Sequence, residues 1–227
     1  MEKLIDSFAN QIEEAIKIGQ SAKITDITMQ FNNIVICGLG GSGIGGTLAK
    51  KLLESKINIP IEVVKSYKLP AFASKNSLVI ISSYSGNTEE TLATMKEAIS
   101  KNCKVVAISS GGEISKICKE QNIDLVSIPG GHPPRACLGY SLTQLFYVLN
   151  AFSIIDNSFE NDLKNTINLL DIEKENIKKE AKSLADKLIG KIPVLYSSDS
   201  YEAVAMRFRQ QINENSKMLC WHHVIPE

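Results

Sequence analysis

The chain has 227 residues, of which 44% are hydrophobic, so it is long enough to bury the core of at least one domain. Lys and Arg together number 25, as do Asp and Glu, and this balance predicts no nucleic-acid partner and no binding to an anionic membrane. No apolar run approaches ~20 residues, and the N-terminal segment carries acidic residues where a signal peptide is apolar. We therefore expect a cytoplasmic protein without a membrane segment.

The cysteines are scattered, odd in number and free of CxxC spacing, which predicts neither a disulfide framework nor a zinc site. We expect no metal. For Cys37 and Cys103, which lie in or beside apolar runs, we favour buried packing over a reactive thiol, although both interpretations are open at this point. The five positions are Cys37, Cys103, Cys118, Cys137 and Cys220.

The N-terminal segment predicts an amphipathic helix over residues ~2–19, because its apolar residues recur at helical spacing. After it, short β-branched runs alternate with helical stretches, which is typical of a doubly wound α/β domain with a parallel five-stranded sheet. The predicted strands are 34–37, 61–64, 78–82, 104–108 and 124–128, and the predicted helices are ~43–55, 89–101, 113–121 and 139–154.

Residues 156–191 predict a charged helical connector with a buried apolar stripe formed by Leu163, Ile167, Leu170, Ile177, Leu184 and Leu188. A strand at 193–197 and a helix from about Tyr201 follow, as at the start of a second α/β domain. We therefore predict three regions: 1–155 with the N-terminal helix and first domain, 156–191 as connector, and 192–227 as the beginning of a second domain. A lone strand with one helix leaves apolar faces uncovered, so the first domain or another chain must cover them, or this region is poorly ordered.

Two loops contain the residues that indicate a ligand-binding site. The glycine loop, Gly38–Gly43, follows the first predicted strand, and the hydroxyl loop, Ser82–Thr88, follows the third. Each leads into a helix, whose first N–H groups and positive dipole end attract anions. Two such loops in one sheet predict a phosphorylated ligand, with contacts from Gly40, Gly41, Ser42, Ser83, Ser85 and Thr88.

Other interpretations of the loops remain open. The glycine loop matches GxGxxG, the dinucleotide fingerprint, but the next strand is followed by Lys65 rather than by the acidic residue that holds a ribose hydroxyl. We therefore do not expect NAD. The glycines are also compatible with a tight turn that binds nothing, and Ser85 or Thr88 with a plain helix cap.

Four ordered segments together resemble the bifunctional phosphoglucose/phosphomannose isomerase family of sugar isomerase (SIS) domains. They are GLGGSGIGG at 38–46, SSYSGNTEET at 82–91, the P-R and G-Y pairs within 130–140, and QINENSK at 211–217. The resemblance implies an isomerase that interconverts glucose 6-phosphate or mannose 6-phosphate with fructose 6-phosphate, as a homodimer and without a cofactor. It also implies that Glu214 is the base that moves a proton between C1 and C2, and that Arg135 is the cation beside the enediolate.

In that family the histidine that opens the sugar ring follows the segment resembling 224–227, beyond Glu227, and His222 and His223 do not match it. The resemblance thus implies a member truncated at its C-terminus, with an incomplete second SIS domain. Two alternatives stay open: a non-catalytic SIS module that only binds a sugar phosphate, and another SIS isomerase for sedoheptulose or arabinose phosphates, which lack the Q-x-x-E-N-x-K segment.

Overall fold

The structure, a computed structural model, describes residues 1–25 and 29–226 of the chain. It divides into two compact units, Met1–Ile167 and Asn168–Glu227. None of the helices in the described ranges combines the length and the apolar character that crossing a membrane requires.

The first unit is built on a five-stranded parallel sheet, which confirms the predicted fold class. Its spatial order is β2-β1-β3-β4-β5, and the central strands β1 and β3 pair in register from Asn33↔Ser77 to Cys37↔Ile81. The strands are β1 Asn33–Cys37, β2 Ile61–Val64, β3 Ser77–Ser82, β4 Lys104–Ser109 and β5 Asp124–Ser127.

Helices cover both faces of this sheet. The predicted N-terminal helix is two helices, α1 and α2, that meet at Ser7, whose hydroxyl donates a hydrogen bond to the Leu4 carbonyl at 3.2 Å and so competes with the regular helix. The helices are α1 Glu2–Asp6, α2 Phe8–Ser21, α3 Gly40–Leu53, α4 Glu89–Ser100, α5 Gly112–Glu120, α6 Leu138–Ala151 and α7 Phe159–Ile172, the last of which crosses the boundary between units.

Both faces of the central strands are buried, and every residue of β1 and β3 is buried. On one face, alternate residues such as Val35 and Ile81 pack in a cluster with Met95 of α4 and Ile114 of α5. On the other, α3 approaches so closely that a Cβ on Gly46 would lie 2.8 Å from Ile36 Cγ2. The unbroken apolar runs seen in the sequence are therefore strands buried on two sides.

The second unit contains α8 Lys174–Leu188, β6 Val194–Ser198, α9 Glu202–Gln211, a π-helical turn Ile212–Ser216 and β7 Trp221–Ile225. The sequence analysis missed β7, which pairs in parallel with β6, so the expectation of a lone strand at 193–197 is wrong. The predicted buried stripe is wrong for α8: Ile177 and Leu184 are 47% and 43% exposed, whereas Ile167 in α7 is buried. Helical spacing aligns apolar residues on one face, but it does not supply a surface to cover them.

Candidate functional site

The two loops lie side by side at one edge of the sheet. The glycine loop follows β1 and the hydroxyl loop follows β3, and these strands are neighbours. Because β2 flanks β1 on one side and β4 flanks β3 on the other, the strand order reverses between them. In open α/β sheets this reversal creates a crevice at the carboxyl ends of the strands, where ligands bind.

The glycine loop turns directly into α3, which begins at Gly40, a residue with φ +52°. At Gly41 a Cβ would lie 2.7 Å from the carbonyl oxygen of Pro134, so the backbones are in contact there and the position has no room for a side chain. Ser42 is buried, and its Oγ accepts a hydrogen bond from the Tyr84 N–H at 3.3 Å, which joins the two loops.

The hydroxyl loop places two of its hydroxyls in contact. Ser83 Oγ and Thr88 Oγ1 are 3.1 Å apart, and Ser83 is buried while Thr88 is half-buried. Thr88 occupies the position before α4, but its side chain makes no capping hydrogen bond, so the plain-cap interpretation is wrong for this residue. Ser85 is exposed and accepts a hydrogen bond from Asn87 N–H at 3.2 Å.

Gly86 fixes the hydroxyl loop against the loop after β4. Its φ is +68°, and a Cβ on it would overlap the carbonyl oxygen of Gly111. The start of α5 adds two hydrogen bonds: Glu113 N–H donates to Asn87 Oδ1 at 2.9 Å, and Ile114 N–H donates to the Gly86 carbonyl at 3.0 Å. The loop is thus held in place by backbone contacts and by the side chain of Asn87.

Tyr84 connects the hydroxyl loop to two further segments. Its carbonyl accepts hydrogen bonds from the N–H and the Oγ of Ser110, at 3.0 and 2.6 Å, and its phenolic oxygen accepts one from His132 N–H at 2.9 Å. Burial of the ring raises the pKa of Tyr84, so the phenol stays neutral near neutral pH. The sequence analysis did not identify this role, because nothing in the local pattern distinguishes Tyr84 from a core aromatic.

Arg135 lies in the short 3₁₀ turn Pro134–Ala136, next to the glycine loop, and is half-buried. The contact between Gly41 and Pro134 brings this turn to the crevice. A second residue that the sequence analysis missed, Gln11 in α2, hydrogen-bonds to the backbone on the far side of the turn.

Glu214 belongs to the second unit, where it is exposed in the π-helical turn. Such turns are rare and occur frequently at functional sites. Lys217 Nζ donates to the Glu214 carbonyl at 2.7 Å. Burial lowers the pKa of nearby Arg207, and the negative charge of Glu214 acts in the opposite direction.

The two histidines that do not match the family's ring-opening position lie on β7. His222 Nε2 lies 3.9 Å from Glu202 Oε1, and the ring of His223 stacks on Tyr196 with 5.7 Å between the centroids.

Burial raises the pKa of the Cys37 thiol to about 12, which fits a packing role for that residue. Within residues 1–25 and 29–226, His, Cys, Asp and Glu form no group of three that would hold a metal ion.

One lysine, Lys65, lies beside the glycine loop. A Cβ on Gly43 would lie 3.5 Å from Cε of Lys65, the residue after β2. A dinucleotide fold places the ribose-binding carboxylate near this position. The chain therefore offers a positive charge to an anion here and lacks the acidic group at the end of β2.

Comparison with known proteins agrees with the fold. A family model for the SIS domain matches residues 29–152, and one for the bacterial phospho-glucose isomerase C-terminal SIS domain matches residues 177–227. A solved structure, the C-terminal domain of glucosamine-fructose-6-phosphate aminotransferase from Francisella tularensis, has a TM-score of 0.75 at 15% identity, covering 97% of this chain and 70% of that one. At this identity the similarity concerns the fold alone.

Two curated relatives are named bifunctional phosphoglucose/phosphomannose isomerase. The protein of Caldicellulosiruptor bescii is 38% identical over 96% of this chain, and that of Aquifex aeolicus is 39% identical over 99%. The chain spans 66% of the length of each. Because the SIS model matches more than half of its residues, the chain belongs to the SIS-domain family.

Proposed function

We propose that this chain is a phosphosugar aldose–ketose isomerase that interconverts glucose 6-phosphate or mannose 6-phosphate with fructose 6-phosphate through an enediolate. The observation that carries the proposal is the crevice between β1 and β3, where the glycine loop and the hydroxyl loop meet the turn that bears Arg135. The names of the curated relatives support the choice of reaction.

The phosphate would bind at the two loops. N–H groups at the starts of α3 and α4 and the hydroxyls of the hydroxyl loop can surround a phosphate, and Lys65 adds positive charge beside them. We assign this contact to Gly40, Gly41, Ser42, Ser83, Ser85 and Thr88. A phosphate fixed here would place the rest of an open-chain sugar along the crevice toward the turn of Arg135.

Arg135 and Glu214 would perform the chemistry. Isomerisation needs a base to carry the proton between C1 and C2 and a cation to stabilise the negative oxygen of the enediolate. We assign these roles to Glu214 and Arg135 respectively. The assignment of Glu214 rests on its motif, and the assignment of Arg135 also rests on the contact of its turn with the glycine loop.

Entry of solvent deuterium at C2 of glucose 6-phosphate tests the proton transfer directly. We expect exchange in the wild type, a loss of ~10²–10⁴-fold in Glu214→Gln, and a severe loss in Arg135→Ala. Glu175→Gln is the matched control, because Glu175 is an exposed glutamate of the same unit with an 87% exposed side chain. Exchange that survives Glu214→Gln would refute the assigned base.

Calorimetric titration with glucose 6-phosphate, read together with the deuterium exchange, separates an isomerase from a module that only binds the sugar phosphate. We expect binding to weaken when Ser83, Ser85 and Thr88 are all changed to alanine, whereas NAD should not compete. Clear binding without deuterium exchange in the wild type would favour the non-catalytic module. If the triple variant binds glucose 6-phosphate with the same affinity as the wild type, the proposed phosphate site is refuted.

We also propose that the protein is a cytoplasmic homodimer. All five cysteines are free thiols, which fits a reducing compartment. The β6–β7 sheet exposes Val194, Tyr196, Trp221 and Ile225 on one face, an apolar surface that a second copy would cover. Sedimentation of the full chain tests the dimer, and a monomer at all concentrations would contradict it.

A further inference from the structure

Gln11 makes two long-range hydrogen bonds around the turn of Arg135. Its side chain is buried, Nε2 donates to the carbonyl of Ala136 at 2.8 Å, and Oε1 accepts from the N–H of Gly139 at 2.8 Å. A single amide on α2 thus satisfies one acceptor and one donor of the backbone that follows Arg135 directly.

The start of α6 needs such a partner. The first N–H groups of a helix have no acceptor within the helix, and a side chain usually supplies one. Cys137, at the position before α6, makes no capping hydrogen bond with its side chain. Gln11 therefore caps α6 from another helix, at the Gly139 amide.

Gly139 leaves room for this amide because it has no side chain. A Cβ at Gly139 would lie 2.6 Å from Oε1 of Gln11, so the side chain of Gln11 occupies the space that any larger residue would fill. On the other side of the turn, His132 N–H is fixed by the phenolic oxygen of Tyr84. The segment that bears Arg135 is therefore held at both ends by side chains from distant parts of the first unit.

We infer that Gln11 is a positioning residue for Arg135: it fixes the turn so that the guanidinium meets the oxygen on which negative charge develops. This inference rests on the proposed isomerase function. Stabilisation of a developing charge depends steeply on geometry, and a displacement of about 1 Å can cost up to ~10²-fold in rate. The hydrogen bonds of Gln11 go to Ala136 and Gly139 and to neither the glycine loop nor the hydroxyl loop, so Gln11 acts on the chemical step more than on binding.

Paired substitutions separate positioning from stability. Gln11→Met keeps the length of the side chain but removes both hydrogen bonds. The matched control is Gln144→Met, because Gln144 is buried in α6 and its Nε2 donates across the same helix pair to the Ala15 carbonyl at 2.7 Å, away from the turn. Thermal unfolding measures the stability that each variant loses, so that kcat is compared at a temperature where both are folded.

For Gln11→Met we expect kcat with fructose 6-phosphate to fall about 10- to 100-fold while KM changes less than about 2-fold. Gln144→Met should keep a kcat near that of the wild type. An equal loss of kcat in both variants, or an unchanged kcat in Gln11→Met, would overturn the inference. If Gln11→Met does not fold, Gln11→Leu replaces it, since it also removes both hydrogen bonds but has a shorter side chain and adds no charge; an unchanged kcat there overturns the inference equally.

Hydrogen exchange of the backbone amides at 136–139 distinguishes failure of this inference from failure of the proposed function. Gln11→Met should accelerate exchange there more than Gln144→Met does, whether or not the wild type turns over sugar phosphates. An inactive wild type with this difference refutes the isomerase but keeps the positioning contact. Equal exchange in the two variants refutes the positioning contact itself.

Discussion

The two sheets of the chain use similar short apolar strands, but they bury them to different extents. In the first unit, every residue of β3 is buried between helices. In the second, β6 and β7 alternate between exposed and half-buried residues, and the side chain of Ile225 remains 53% exposed. The comparison shows that an apolar strand residue stabilises the fold according to what covers it, and that β-propensity alone does not measure its contribution.

The largest expected effect comes from equivalent truncations in the two sheets. Ile80 is fully buried in β3, so Ile80→Ala should lower the free energy of unfolding by about 2–5 kcal/mol through lost burial and a cavity. In the monomer, Ile225→Ala should change it by about 0.5 kcal/mol, because this residue is 53% exposed there. Urea unfolding followed by circular dichroism, at low and at high protein concentration, measures both. The loss at Ile225 should increase where the proposed dimer covers its face, and a loss that does not change with concentration would contradict that proposal.

Breaking an ion pair should likewise cost more free energy of unfolding in the first unit than in the second. Lys104 Nζ and Asp124 Oδ2 are 2.6 Å apart, with side chains 17% and 10% exposed, and they join β4 to β5. Asp124→Asn should cost about 1–3 kcal/mol of unfolding free energy because it removes a partly buried charged hydrogen bond. Glu175→Gln, which breaks the exposed pair with Lys178 at 3.8 Å, should cost less than about 0.5 kcal/mol. Equal costs would mean that solvent screens both pairs alike.

The smallest expected effect is on the free energy of unfolding at acid pH. Burial works to raise the pKa of Asp124, but hydrogen bonds from Lys104 and Thr25 outweigh it and hold that pKa below its usual 3.8. The stabilisation is therefore complete above about pH 4 and is lost as the pH falls through the lowered pKa. Unfolding free energies measured across this range should fall more steeply in the wild type than in Asp124→Asn. Parallel curves would assign the acid sensitivity to other carboxyl groups.

Much of the first unit could be predicted from sequence because its signals are local. The runs around Ile36 and Ile80 are strands buried on both sides, and the glycine and hydroxyl loops follow β1 and β3 as expected. The positions of α8 and β7 were harder to interpret. In α8 the apolar stripe is regular but exposed, and in β7 the two histidines interrupt the apolar pattern that identifies a strand.

The contacts that organise the site could not be predicted, since they join residues far apart in the chain. Gln11 reaches Gly139 across 128 positions and Tyr84 reaches His132 across 48. Neither side chain belongs to a spacing pattern, and a buried glutamine in an amphipathic helix is equally compatible with ordinary packing. Only the folded arrangement shows that Gln11 supplies the cap that Cys137 does not.

The contact between Gly86 and Gly111 has a consequence for attempts to alter the hydroxyl loop by mutation. Any side chain at Gly86 meets the Gly111 carbonyl, so a randomised library at this position would consist mostly of misfolded variants. Its neighbour Ser85 is exposed, so a substitution there leaves the fold in place and acts on the phosphate contact that we assign to its hydroxyl. Directed evolution of the hydroxyl loop therefore has its useful diversity at position 85 and should leave position 86 unchanged.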